Sequence, residues 1–298
     1  MASPRALLLA ALACAALPGA RGVGLPLLGR FLPGASREPP ALATVASGEA
    51  ERRRKRLMTT LTRDDVAYRA QSAAPCSRTL LFVNVGLFAL QLLTRGRLTA
   101  AGCKPARAFR LADWPRLFTP VFLHGSIVHL AVNSYSLNDL GPVVEQAFGS
   151  SRFMLTYALA GIAGNILSFQ FNTRATSVGA SGAIFGLVGA YASYLALNNE
   201  LLGERGSVQL QSLGTMIMLN LGIGMASSNI DNFGHIGGLL GGAVIGWLLG
   251  PALKVGFSSN PLAPLQVVDR SPWPGLTRAL DRATGKGRNK ARRPARRW

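Results

Sequence analysis

Cysteine and histidine are scarce in this chain of 298 residues, with three of each. Cys14, Cys76 and Cys103 form no CxxC pair and no metal-like spacing, which excludes a disulfide scaffold and leaves no zinc site. Charge is also thin: 15% of residues are charged, and Asp and Glu together number 13 against 32 Lys and Arg. So few charges, with 49% hydrophobic residues, exclude an average soluble domain and point to a membrane protein. The net charge of +19 would suit a nucleic-acid binder if it were spread over a folded surface. It is not: 12 of the basic residues lie in residues 1–78 and 10 in residues 257–298, flanking the apolar middle as the basic face of a membrane protein does.

The opening "MASPRALLLAALACAALPGARG" has an early Arg, a short apolar run and then small residues, the pattern of a signal peptide over 1–22. Residues 23–70 are rich in Arg, Ser, Ala and Pro and poor in acids until residue 49, like a plastid or mitochondrial transit peptide. The two together suit a plastid bounded by extra membranes; a plain signal peptide followed by a basic arm is the alternative. Against the roughly 20 residues a bilayer requires, six apolar runs are predicted as spans: about 79–95, 121–141, 151–171, 181–198, 208–226 and 233–253. Six spans return both basic ends to one side. The stretch from about 96 to 120 is too long for a simple connection and carries Arg97, Lys104, Arg107, Arg110 and Arg116. It is expected to fold on the bilayer surface with Trp114 and Phe118 at the interface. Residues 255–298, basic and without hydrophobic period, read as a disordered tail able to touch anionic headgroups.

Chemistry concentrates in three places. "TSVGASGAIFG" sets Ser181 between Gly179 and Gly182 at a predicted helix start, where Ser is either a cap or a nucleophile. "FLHGSIVHLAVN" puts His129 and Asn133 four apart, on one helical face, with His124 nearby. "NFGHIGGLLGGAVIGW" puts His235 on one face with Gly238 and Gly242, and Gly182 and Gly186 offer the reciprocal stripe for close helix packing. A close crossing of those two helices would bring Ser181 and His235 within hydrogen-bond reach. A serine hydroxyl needs a base of near-neutral pKa, which His supplies, and the developing oxyanion needs donors. Asp231, four residues before His235, and Glu145, near the end of the second span, are the available carboxylates, yet no geometry links either to His235, so a Ser–His dyad is expected rather than a triad. Singly, each feature also has an ordinary structural reading as cap, packing stripe or buried histidine.

At these residues the chain resembles the rhomboid family of intramembrane serine proteases. "GASG" is similar to the family's GxSG motif, "HIGG" to its histidine-glycine motif, and His129 with Asn133 to its HxxxN pair. "WPRLFTPVFLH", with Trp114 and Arg116, is similar to the first-loop Trp-x-Arg signature, and "EQAFG", with Glu145 and Gly149, to the ExxxG motif. The likeness covers about residues 79–254, occurs in family order, and is closest to plastid members. Phe185 departs from the Tyr that many members carry four residues after the nucleophile, keeping the packing and losing the hydroxyl.

The resemblance implies an all-α membrane protein, a six-transmembrane-helix bundle with an interfacial first loop over 79–254. It implies Ser181 as nucleophile, His235 as general base, and His129 and Asn133 as oxyanion donors, with Gly179, Gly182, Phe185, Gly238, Trp114, Arg116 and Glu145 in support. No cofactor, no metal and no nucleic acid is expected; the partners are single-span membrane substrates and the lipid bilayer. The expected location is a plastid membrane, with a secretory-pathway membrane as alternative. A non-cutting rhomboid-like protein that binds transmembrane segments is the competing function, and retention of both Ser181 and His235 argues against it. A channel or transporter would require a charged path or repeated broken helices, and the sequence has neither.

Overall fold

Seven α-helices and two short 3-10 turns precede a small C-terminal unit in the computed structural model, which describes residues 74–227, 230–257, 265–271 and 273–283. The leader segments 1–22 and 23–70 lie outside the described residues. Helix α1 (Pro75–Leu93) is followed by α2 (Arg97–Gly102) and 3-10 turns at Leu111–Leu117 and Thr119–Phe122. Then come α3 (Ile127–Phe148), α4 (Ser150–Phe171), α5 (Ser181–Leu197), α6 (Asn199–Ala226) and α7 (Asn232–Leu249). Strands β1 (Leu253–Phe257) and β2 (Leu265–Asp269) pair antiparallel, Leu253 opposite Asp269, and α8 (Pro274–Ala283) follows.

Each long helix begins or ends on a residue suited to the task. Pro75 opens α1, Ser126 caps α3 by accepting from the His129 N–H at 3.1 Å, and Asp231 caps α7 by accepting from the Gly234 N–H at 3.1 Å. Gly149, at φ +83°, lets the chain turn between α3 and α4 without a break in pairing. Each of the six expected spans overlaps a helix, 121–141 only from Ile127 onward. Among the described residues α1, α4 and α7 are long and apolar enough to cross a membrane, and a fourth span results if the 3-10 turns and α3, bent by 76°, count as one. Helix α5 is apolar but has 17 residues, about 26 Å at 1.5 Å per residue, short of a hydrocarbon core of about 30 Å.

That short helix is the centre of the bundle. Ala183, Leu187, Ala190 and Leu195 on α5 are buried against Leu137 and Val144 of α3 and Phe153 and Tyr157 of α4. The α5–α7 crossing is backbone on backbone: a Cβ on Gly238 would overlap the Gly182 carbonyl, and one on Gly242 the Gly186 carbonyl. The reciprocal glycine stripes expected from the sequence are therefore in contact. Helix α6 is the least covered, breaking from helical geometry at Gly203 (φ +58°) and exposing Met218, Leu219, Ile223 and Met225.

Residues 255–298, expected to be disordered, are corrected in part: they contain the end of β1, all of β2, and α8. The cause is a set of long-range polar ties. Buried Arg152 at the start of α4 pairs with Asp269 at 2.8 Å, and Asn198 bonds the Leu253 N–H at 2.7 Å and the Pro251 carbonyl at 2.9 Å. None of these partners is near in sequence, so no local pattern announces them. Residues 284–298 lie outside the described residues.

Candidate active site

The end of α4, the start of α5 and the start of α7 converge at one end of the bundle. There Ser181, first residue of α5, lies with its Oγ 2.8 Å from Nε2 of His235, one turn into α7. The glycine crossing sets this distance, because neither helix could approach the other with side chains at Gly182 and Gly238. His235 is flat against Phe185, ring centroids 4.5 Å apart and planes 9° from parallel. The stack fixes the imidazole about its χ angles and leaves Nε2 facing Ser181. Phe185 thus supplies the packing expected of an aromatic ring at that position without a hydroxyl.

His235 Nδ1 is buried and has no hydrogen-bond partner among the described residues. Asp231, four residues earlier, spends its carboxylate elsewhere, on the Gly234 N–H and the Ser168 hydroxyl. The geometry is that of a pair, Ser181 with His235, rather than of a triad.

Beside the pair, His129 and Asn133 face the turn that leads into Ser181. A Cβ on Gly179 would stand 2.8 Å from His129 Nε2 and 3.6 Å from Asn133 Nδ2, so only glycine fits, and its φ of +139° is one that side chains rarely adopt. The Gly125 N–H lies 3.5 Å from His129 Nδ1. A donor at Nδ1 leaves the ring proton on Nε2, the atom turned toward Gly179. Asn133 is buried and its Nδ2 has no partner among the described residues, a donor available for a group that arrives from outside. His124, wholly buried, meets the His129 ring edge to face at 5.3 Å and backs it.

The chain is similar to known proteins over this region. Residues 111–252 match the Rhomboid domain. The rhomboid protease described as putative, YdcA, from Bacillus subtilis is 39% identical over 137 residues, covering 46% of this chain and 67% of the relative. The chain belongs to the rhomboid family. Rhomboid protease GluP of Bacillus subtilis is 43% identical over 175 residues, 57% of this chain, and the match spans only 33% of that protein's length. RHOMBOID-like protein 9, chloroplastic, of Arabidopsis thaliana is 33% identical over 176 residues, 58% of this chain and 38% of the relative.

Other residues singled out in this rhomboid sequence lie away from the pair. Trp114 is exposed on the first 3-10 turn, and Arg116 neighbours Asp113 there; that loop is anchored by Asn165 Nδ2 donating to the Leu117 carbonyl at 2.8 Å. Glu145 accepts from the Cys76 N–H at 3.1 Å, the Ser77 N–H at 2.8 Å and the Ser150 hydroxyl at 2.6 Å. It caps α1 and joins it to the α3–α4 turn. Sixteen residues of helix, about 24 Å, separate it from His129. Glu145 is therefore a support of the bundle's opposite end and not of the site.

Sequence reading counted Lys104 only among the charges of the surface loop. It is fully buried, pairs its backbone with Ser177 through two bonds of 3.0 Å, and donates from Nζ to the Ala175 carbonyl at 2.9 Å and to the Asn172 carbonyl. Burial pushes its pKa below the ordinary lysine value, and the Asp231 carboxylate pulls it back up. One signal was available, a single lysine among the small and apolar residues of "LTAAGCKPA", but its partners are about 70 positions away.

Proposed function

We propose that the protein is an intramembrane serine endopeptidase that hydrolyses peptide bonds in or beside transmembrane helices of membrane-protein substrates. The observation that carries the reading is the Ser181 Oγ to His235 Nε2 contact of 2.8 Å at the start of a buried, short helix. In this mechanism Ser181 attacks the scissile carbonyl while His235 Nε2 takes its proton. The oxyanion is met by His129 Nε2–H and Asn133 Nδ2–H, with the Ser181 backbone N–H as a third donor. His235 returns the proton to the leaving amine, and a water, deprotonated by the same nitrogen, releases the acyl group from Ser181. The reading calls for no metal and no cofactor.

A transmembrane substrate adds a requirement of its own. A helix in lipid keeps its backbone groups paired, so a single-span substrate must unwind locally before its carbonyl can reach the hydroxyl. Small or helix-breaking residues near the substrate helix end lower that cost. A plastid membrane is the proposed location, supported by the transit-like leader and the chloroplastic relative.

The test is cleavage of a fluorogenic single-span substrate by the full chain in liposomes. Wild type should cut, while Ser181→Ala and His235→Ala should each lose cleavage and remain folded and inserted. Either variant cutting at the wild-type rate would sink the dyad. Substrate bound yet uncut by wild type would favour the binding-only function instead.

A further inference from the structure

The segment that leads into Ser181 lies between a buried cation and a half-buried anion that the cleavage chemistry does not use. On one side Lys104 hydrogen bonds along the segment: its backbone pairs with Ser177, and its ammonium takes the carbonyls of Asn172 and Ala175 while lying 5.7 Å over the Phe169 ring. On the other side the Asp231 carboxylate accepts from Ser168 at the end of α4 and from the Gly234 N–H, and the side chains of Asn172 and Ser177 face it. Residues 172–177 therefore run between a cation that holds their carbonyls and an anion that two of their side chains face. The chain then continues through Gly179, whose N–H donates to the Pro120 carbonyl at 2.9 Å, to Ser181.

The same carboxylate begins the helix of the base. Asp231 is the N-cap of α7, and its backbone carbonyl accepts from the His235 N–H at 3.1 Å. One residue thus touches both the approach to the nucleophile and the turn that carries the base. A buried ammonium facing a half-buried carboxylate is a costly means of stabilisation, since apolar side chains of similar volume do as well or better. What ionic and hydrogen-bonded groups add is direction, which is what a reaction needs when a displacement of about 1 Å can cost about 100-fold in rate.

We propose that Lys104 and Asp231 are positioning residues that act through residues 172–177 to hold Ser181 Oγ on His235 Nε2. The inference rests on the protease reading above. It differs from a triad, because Asp231 orients the two catalytic elements without bonding the imidazole.

The decisive variant is Asp231→Asn. Asparagine caps a helix as well as aspartate, so a residue that only starts α7 is replaced without loss, whereas one that must be an anion is not. For the full chain in liposomes, Asp231→Asn should keep the wild-type thermal midpoint and KM while kcat falls about 10- to 100-fold. Lys104→Met should lower kcat similarly, and the double variant should lose no more than the worse single one, because both act on the same segment. Wild-type kcat in Asp231→Asn, or losses that multiply in the double variant, would overturn the inference. If Lys104→Met does not accumulate, Asp231→Asn and Asp231→Ser, both neutral and both good caps, decide it by whether kcat falls at constant midpoint. Wild type that fails to cut would overturn the protease reading and this inference together. Wild type that cuts beside Ser181→Ala that does not, with the Asp231 variants unchanged, would overturn this inference alone.

Discussion

At the scale of single residues, the site is a set of donors and one acceptor held before any substrate arrives. Asn133 keeps a buried Nδ2 with no partner among the described residues, and His129 turns Nε2 toward Gly179. Leaving a buried donor unpaired is unfavourable, a cost that the proposed mechanism offsets when an oxyanion forms. His129→Ala and Asn133→Ala should each lower kcat by about 100- to 1000-fold, the usual effect of removing one oxyanion donor, with KM little changed. A rise in KM at constant kcat, measured on the same single-span substrate, would assign them to ground-state binding instead. Phe185 acts through the ring of His235, so Phe185→Tyr fits the same stack.

At the scale of elements, two contacts bring the chemistry together: the α5–α7 crossing and the first loop. The crossing has no room for a methyl group at Gly238, where an added Cβ meets the Gly182 backbone. Gly238→Val should push the helices apart, lower the thermal midpoint and abolish cleavage. Retention of activity would show that the crossing is not what joins Ser181 to His235. The first loop contains its own ionic brace, Arg107 bonding both carboxylate oxygens of Asp113 at 2.6 and 2.7 Å. That guanidinium holds Asp113 below the usual carboxylate range. A depressed folded pKa contributes stability above the ordinary carboxylate value and loses it as pH falls through the folded value. The wild-type thermal midpoint should therefore fall on acidification below about pH 4 more steeply than that of Asp113→Asn, which has already lost the brace. Equal acid sensitivity would remove the brace from the account. Two of the first-loop charges are thereby used within the fold, Arg107 here and Lys104 under the Ser181 turn.

At the scale of the whole molecule, the two ends of the bundle have different duties. One end carries Ser181, His235, His129 and Asn133. The other carries Glu145 capping α1, Asn198 holding the chain after α7, and the Arg152–Asp269 pair fastening the C-terminal hairpin. Removing one partner of a buried ion pair is strongly destabilising, by about 3–5 kcal/mol when both charges are dry; Asp269 is partly exposed, so Asp269→Ala should cost less than that. The hairpin should become sensitive to limited proteolysis while cleavage of a membrane substrate persists. Loss of cleavage with the hairpin still protected would show that the two ends are coupled.

The sequence by itself determined what depends on spacing along one helix. Ser181 among small residues, His129 four before Asn133, and His235 in register with Gly238 and Gly242 are local patterns, and a helix converts each into a shared face. That was enough to expect Ser181 beside His235, because two complementary glycine stripes permit one close crossing. Only the tertiary structure decided what depends on residues far apart in the chain. Lys104 finds its carbonyls 68 and 71 positions away, Glu145 its amides 68 and 69 away, and Arg152 bonds Ser271 at a separation of 119. Such bonds leave no period in the sequence, since each is a single polar residue whose partner is chosen by the folded path of the chain. The contact between Ser181 and His235 was legible because helices repeat; the groups packed around it were not, because buried polar contacts do not.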